Sequence, residues 1–300
     1  VNILVTGARS FTARHLLPLF DEAADVFGTD LDGPHRETMR FLPADITHPG
    51  AMVDVMRAAK PDLIVHLAGV SGAQPDMCLA VNLEGTRNVF RALNVLSNAP
   101  RVVLVSSAAV YGAIRPEENP VLETTLLRPA GPYGESKARA EQVARDAHHQ
   151  GLARVVILRP FNLVGPGLAR GLAPADFAAE VLRVKRGEGE PVVRVGELTP
   201  VRDFVDVRDA ARGYLLVAEH PDAYGKVFNV GSGQGTTIGD VLERLVRLAK
   251  VAAKVETDPA RLRRVDVPEM VADVSALKRL VSWQPEIELD QSLRDLLEAH

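Results

Sequence analysis

Tyr133 and Lys137 stand four residues apart in Tyr133-Gly-Glu-Ser-Lys137, and Ser106-Ser107 lies about one structural element upstream. On a helix, residues at that spacing share a face. An ammonium beside a phenol favours the phenolate and lowers a pKa that is otherwise about 10. The pair then becomes a proton donor or acceptor near neutral pH, and a serine alongside can hold the oxygen being protonated. Alcohol–ketone interconversion is the chemistry implied. Four tyrosines and seven lysines in 300 residues give about 0.1 such pairs by chance, so the motif needs a dinucleotide site before it.

Such a site is legible at Thr6-Gly7-Ala8-Arg9-Ser10-Phe11-Thr12-Ala13, between a short apolar run and a helical pattern. A turn in that context brings backbone N–H groups to a pyrophosphate. Glycine is usual three and six residues after the first, and this chain has Ser10 and Ala13 there. Ala13 preserves close helix packing, whereas Ser10 sets a hydroxyl where backbone should approach phosphate. Asp30, at the end of the next strand, can accept from both hydroxyls of the adenine ribose. Asp45 and Ile46 can flank the adenine, and the Leu67-Ala68-Gly69 backbone can run beside the second ribose. Singly these are turn residues; together they mark four strand ends suited to one ligand. Asp30 repels a 2′-phosphate, so NAD(H) is favoured, while Arg9 keeps NADP(H) possible.

The surrounding pattern must position these residues. Strands are expected over 1–6, 26–29, 40–45, 63–67, 101–106 and 154–159, and helices over 13–20, 49–59, 78–96 and 133–150. Their alternation predicts an α/β fold with a doubly wound parallel Rossmann sheet. After Pro160 the rhythm breaks into loop-rich stretches, with a strand at 227–230 returning to the sheet and helices over 240–250 and 289–298. Residues 1–164 and 201–231 are therefore expected to form the nucleotide-binding domain, and 165–200 with 232–300 a smaller discontinuous lobe.

Composition excludes other classes. A net charge of −4 gives no signal for nucleic acid. No apolar run approaches a membrane span, and the N-terminus reads as a strand instead of a signal peptide. The lone Cys78 excludes an internal disulfide and fits a reducing, cytoplasmic setting. No His/Cys/Asp cluster has metal-ligand spacing. His66, inside an apolar strand, reads as a hydrogen-bonded core residue.

The chain resembles the extended short-chain dehydrogenase/reductase family of nucleotide-sugar enzymes along essentially its whole length. Beyond Tyr133 and Lys137, the likeness rests on Val81-Asn82, Ser106-Ser-Ala-Ala-Val-Tyr-Gly112, Arg159-Pro-Phe-Asn162, Arg202-Asp-Phe-Val-Asp-Val207, Phe228-Asn-Val-Gly-Ser232 and Asp258-Pro-Ala-Arg-Leu-Arg263. Residues 159–167 and 258–264 are particularly similar to the branch that reduces GDP-4-keto-6-deoxy-mannose. The resemblance implies that Tyr133 is the general acid/base, that Lys137 lowers its pKa and holds the nicotinamide ribose, and that Ser107 binds the sugar C4 oxygen. It implies cofactor contacts from Phe11, Asn82, Ser106 and Pro160 beside those above. Asn162, Arg202, Arg263 and Asp266 would meet the substrate. A homodimer through a four-helix bundle is also implied, with Val81, Val89 and Leu93 on one stripe and Ala140, Val143, Ala144 and Ala147 on another.

Two departures narrow the activity. Dehydratases of this family place a carboxylate just after the serine, because β-elimination must remove a C5 proton. Ala108 and Ala109 stand there, and neither can do acid or base work. Ala179 lies where relatives carry a basic residue near the substrate, which leaves the base open. The implied function is reduction of a nucleotide-linked 4-keto-6-deoxy sugar, GDP-4-keto-6-deoxy-mannose to GDP-rhamnose. The alternatives are an NAD-dependent nucleotide-sugar 4-epimerase and a non-catalytic nucleotide-binding regulatory protein.

Overall fold

The computed structural model describes residues 1–33, 39–262 and 267–300. Seven parallel strands form the main sheet: β1 (Asn2–Thr6), β2 (Asp25–Thr29), β3 (Arg40–Phe41), β4 (Leu63–His66), β5 (Arg101–Val105), β6 (Arg154–Pro160) and β10 (Val227–Val230). Their order is β10-β6-β5-β4-β1-β2-β3, so the winding direction reverses between β1 and β4. In such sheets the crevice at the carboxyl ends of the two switch-point strands takes the ligand. The return of 227–230 to this sheet matches the sequence reading.

Both faces are covered, as near-continuous apolar strands require. Ile3, Val5, Leu63, Val65, Val103, Val105, Val156 and Leu158 form one cluster with α1 (Phe11–Leu16), α7 (Val207–Glu219) and the α9 (Ser275–Val281) segment, which brings in Leu277 and Trp283. The alternate residues, Leu4, Ile64, Val102, Leu104, Val155 and Ile157, pack against α2 (Pro49–Ala59), α4 (Thr86–Ala92) and α5 (Gly131–His149). Period-two alternation thus splits each strand between two cores.

The helix expected over 78–96 begins earlier and is not uniform. It runs as α3 (Pro75–Cys78), a π-helical turn (Leu79–Gly85), α4 and a 3-10 turn (Leu93–Val95). π-Helical turns widen a helix and recur at functional sites. Here the widened turn carries Asn82.

A third cluster joins α6 (Ala173–Lys185), α8 (Ile238–Ala249) and α10 (Leu289–Glu298), with Val193 and Val195 of β8 (Val192–Val195). Strand β8 pairs with β12 (Lys254–Thr257). Strand β9 (Val201–Asp206) is flanked by β7 (Asn162–Val164), β11 (Gly235–Thr237) and β13 (Glu269–Met270). Phe11, at the head of α1, packs against this third cluster, and His15 Nε2 lies 3.0 Å from the Pro166 carbonyl oxygen. The glycine loop is therefore anchored to both cores. Helices α6 and α7 were missed in the sequence. The first hides behind Gly171 and Pro174, and the second follows a strand without a break, with Asp206 capping it by accepting from Arg208 N–H at 2.8 Å.

No described helix is long and apolar enough to cross a membrane. The apolar stripes expected to face a dimer partner instead cover the sheet. Val89, Leu93, Ala144 and Ala147 are buried in the second cluster, with Val81 and Val143 partly buried against it, and Ala140 is also buried. These helices need their apolar faces for their own core, and Met77 alone on α3 leaves a large apolar side chain exposed (54%).

Candidate active site

Gly7 adopts φ +68°, and a Cβ there would meet the Ala68 backbone nitrogen at 2.7 Å. The loop after β1 and the loop after β4 touch at the switch point, and only glycine allows both the dihedral and the approach. Ser10 is not turned into that crevice. Its hydroxyl caps α1, accepting from the Ala13 N–H at 3.2 Å, so the side chain satisfies one of the free donors at that helix end. Asp30 accepts from the Arg9 N–H at 3.1 Å and from the Leu31 N–H at 2.9 Å. The Arg9 guanidinium is paired with Asp32.

Asp45 accepts from the Thr47 N–H at 2.8 Å and lies 3.4 Å from His48. Burial opposes ionisation of Asp45, but these partners prevail and hold its carboxyl below the ordinary value. Ile46 is buried against Gly85.

Behind the loops runs a buried chain of hydrogen bonds. Thr86 Oγ1 donates to the Asn82 carbonyl at 2.6 Å, so it must accept from His66 Nε2 at 2.9 Å. His66 Nδ1 is then an acceptor and takes the Thr6 hydroxyl at 2.6 Å, while Thr6 Oγ1 accepts from the Ala68 N–H at 3.3 Å. These roles define the neutral Nε2–H tautomer. Burial and the Lys137 charge push the His66 pKa down to about 3. His66 is thus a core residue, as its sequence setting implied.

Asn82 brackets Val70, accepting from its N–H at 2.8 Å and donating to its carbonyl at 3.0 Å. It also donates to Ser136 Oγ at 2.9 Å, and Ser136 donates to the Tyr133 carbonyl at 2.8 Å. The turn after β4 is in this way tied to the N-terminal part of α5.

On α5, Tyr133 and Lys137 share a face and approach the end of β5. The Tyr133 phenol lies beside the Ser107 side chain, which favours its ionised form and itself accepts from the Ala109 N–H at 3.1 Å. Lys137 is 7% exposed, and its Nζ donates to the Val105 carbonyl at 3.0 Å. A Cβ on Gly69 would stand 2.9 Å from Asn82 Oδ1 and 3.1 Å from Lys137 Nζ, so these groups converge on one stretch of backbone. Burial lowers the Lys137 pKa to about 8, against the opposing field of Glu141.

The expected lowering of the Tyr133 pKa is not what this geometry yields. Burial raises it, outweighing the lowering influence of Ser107, and the Lys137 ammonium is directed to the Val105 carbonyl. Tyr133 is therefore held as the phenol. Ala108 and Ala109 occupy a 3-10 turn directly after Ser107, which leaves no carboxylate there.

A residue pair missed in the sequence supports α5 from behind. Glu141 Oε1 accepts from Arg159 Nε at 2.8 Å and Oε2 from Nη2 at 2.6 Å, with side-chain exposures of 1% and 2%. Arg159 Nη1 also donates to the Tyr111 hydroxyl at 3.0 Å and the Glu123 carbonyl at 3.1 Å. Tyr111 in turn donates to Asn229 Oδ1 at 2.6 Å. The available signal was Glu141 standing four residues after Lys137.

Among the substrate candidates, Asn162 donates to the Asp203 carbonyl at 3.0 Å, and Arg202 Nη1 donates to the Val201 carbonyl at 2.8 Å. Asn162 begins β7, one residue after β6 ends at Pro160, and Arg202 lies within β9, with which β7 pairs. Arg263 and Asp266 lie outside the described residues.

The crevice fits a dinucleotide on the chain's own features. Its floor is a glycine contact that a side chain would fill, and Ser106 Oγ, buried at the end of β5, has no hydrogen-bond partner.

Comparison with known proteins agrees with this geometry. The NAD dependent epimerase/dehydratase family matches residues 3–231. The GDP-6-deoxy-D-mannose reductase of Pseudomonas aeruginosa is 33% identical over 99% of this chain and 96% of its own length. A solved structure of RMD from Pseudomonas aeruginosa complexed with NADPH superimposes with a TM-score of 0.88 at 30% identity, covering 100% of this chain and 98% of its own. The UDP-glucose 4-epimerase of Thermus thermophilus in complex with NAD gives a TM-score of 0.87 at 26% identity, with the same coverage.

Proposed function

The chain belongs to the NAD dependent epimerase/dehydratase family, and from this we propose that it reduces the C4 ketone of a GDP-linked 4-keto-6-deoxy sugar, GDP-4-keto-6-deoxy-mannose to GDP-rhamnose. The observation that carries the reading is the placement of Ser107 beside the Tyr133 phenol, with Lys137 one turn beyond and alanines at 108 and 109. Likeness to a GDP-6-deoxy-D-mannose reductase over nearly the full length supports the sugar class.

The bound cofactor supplies hydride from its reduced nicotinamide. The protein's residues supply the rest. Ser107 donates a hydrogen bond to the C4 oxygen and Tyr133 gives that oxygen its proton, so hydride and proton together make the alcohol. Reduction needs a phenol in the resting site, and burial maintains one. Lys137, an ammonium below about pH 8, holds the nicotinamide ribose beside Asn82 and Ser106. Gly7, Arg9, Ser10 and Phe11 form the loop for the diphosphate, Asp30 receives the adenine ribose, Asp45 and Ile46 border the adenine, and Leu67, Ala68, Gly69 and Pro160 line the remaining backbone walls. Asn162 and Arg202, with Arg263 and Asp266, meet the substrate diphosphate and ribose. The substrate lobe comprises 165–200 and 232–300. A cytoplasmic homodimer built on α5 and the 75–95 helix completes the proposal, with exposed Met77 as its support; monomeric mass by light scattering at micromolar concentration counts against it.

An NAD-dependent 4-epimerase would use the same Ser107, Tyr133 and Lys137, and the likeness to the Thermus enzyme keeps that reading in view. The two separate at cofactor exchange, because an epimerase regenerates its nicotinamide within each cycle. Purified protein free of nicotinamide absorbance, with thermal stabilisation by reduced cofactor and GDP-sugars, supports the reductase. Tightly retained NAD together with interconversion of 4-epimers overturns it.

A further inference from the structure

Lys137 and Arg159 are two buried cations on neighbouring elements, and Glu141 of α5 binds Arg159 directly and acts on Lys137 through its field. It follows Lys137 by one helical turn, a spacing that sets side chains on one face. Both of its oxygens are taken by Arg159, at 2.8 and 2.6 Å, with Arg145 adding a weaker contact at 3.4 Å. The other groups around Lys137 carry no compensating charge. His66 on β4 is neutral in the tautomer assigned above. Asn82 from the π-helical turn and the Val105 carbonyl from β5 are dipoles. Tyr133, earlier on α5, is a phenol beside Ser107, with the Cys78 thiol of α3 near it.

We propose that Glu141 is the shared counter-ion that lets Arg159 and Lys137 remain charged together, and so is a positioning residue for the Lys137 ammonium. Removing one partner of a buried ion pair leaves an uncompensated charge. Loss of the Glu141 charge leaves Arg159 as a bare cation on the same side of α5, and its field adds to burial in driving the proton from Lys137. Loss of Arg159 does the reverse, because Glu141 then acts on Lys137 alone. The role in turnover rests on the reductase reading; the charge state of Lys137 does not.

The test is an Nζ NMR titration of lysine-labelled protein, with the Lys137 resonance assigned through Lys137→Arg. Wild type should titrate near 8. Glu141→Gln, which keeps size and one acceptor, should lower that midpoint by about one unit or more, a tenfold change in proton affinity. Glu141→Asp should retain most of the wild-type value. Arg159→Met should raise the midpoint, and Glu141→Gln/Arg159→Met should return it toward wild type. NADH or NADPH affinity at neutral pH, measured by calorimetry, should fall in Glu141→Gln and recover on acidification. An unchanged Lys137 midpoint in Glu141→Gln overturns the proposal even if turnover is lost, since that pattern describes a brace for the helix and nothing more. If Glu141→Gln does not fold, an unchanged or lowered midpoint in Arg159→Met overturns it instead.

Discussion

The Tyr133 side chain of α5 lies beside the Ser107 side chain in the turn after β5, and Ser107 favours its ionised form. Burial outweighs that influence and raises the phenol's pKa, so the donor stays protonated through the neutral range. Tyr133→Phe removes the proton donor and little volume. We expect turnover to fall by a factor of about 100 to 10,000, with cofactor binding nearly intact. Near-wild-type turnover in the variant removes Tyr133 from the chemistry.

Lys137 carries a stability cost with a defined pH window. Its folded pKa is about 8 against 10.5 for the free group. Between those values the unfolded chain binds more protons, so this group makes stability rise with pH; below about 8 the full cost of a buried ammonium is present. Lys137→Met should therefore stabilise the protein near neutral pH by about 1–3 kcal/mol while turnover is lost. The gap between variant and wild type in urea midpoint should close from about pH 8 toward pH 10. A variant less stable than wild type at neutral pH contradicts this.

Ala108 and Ala109 follow Ser107 in a 3-10 turn, where elimination would need a carboxylate. GDP-mannose incubated with the protein and either oxidised cofactor should show no mass loss of one water. Steady dehydration would mean that another base reaches C5.

Cofactor choice follows from two carboxylates. Asp30 fixes the backbone of the Arg9 loop at 3.1 Å, and in the proposed cofactor placement its charge would repel a 2′-phosphate. The Arg9–Asp32 pair is exposed, so freeing Arg9 costs only about 0–1 kcal/mol. We expect NADH to bind more tightly than NADPH, Asp30→Ala to narrow or reverse the gap, and Asp32→Ala to strengthen NADPH binding. Tighter NADPH binding by wild type in a direct titration would give Arg9 the deciding role.

The main sheet and the Tyr133/Lys137 face were legible because both are short-range patterns: apolar runs ending in Gly7, Asp30 and Gly69, and a four-residue helical spacing. Arg159–Glu141 was not, since 18 residues separate partners that only the packing of α5 on β6 brings together. The direction of the Tyr133 shift was misread for a related reason. Sequence spacing shows that a lysine is near, but not that its ammonium is spent on the Val105 carbonyl or that burial outweighs it. The packing of the helical stripes was not legible for the same reason: periodicity cannot say whether an alanine face such as Ala144 and Ala147 meets a partner or its own sheet, and here it packs on the sheet.

The most direct measurement is a stoichiometric one: GDP-4-keto-6-deoxy-mannose and reduced nicotinamide cofactor mixed with catalytic amounts of protein, following cofactor absorbance and product mass together. One cofactor oxidised per sugar, with the sugar gaining two hydrogens over many turnovers, is the expected result. Conversion of 4-epimers without net cofactor oxidation, or no reaction with either cofactor, contradicts the assignment of Ser107, Tyr133 and Lys137 to ketone reduction.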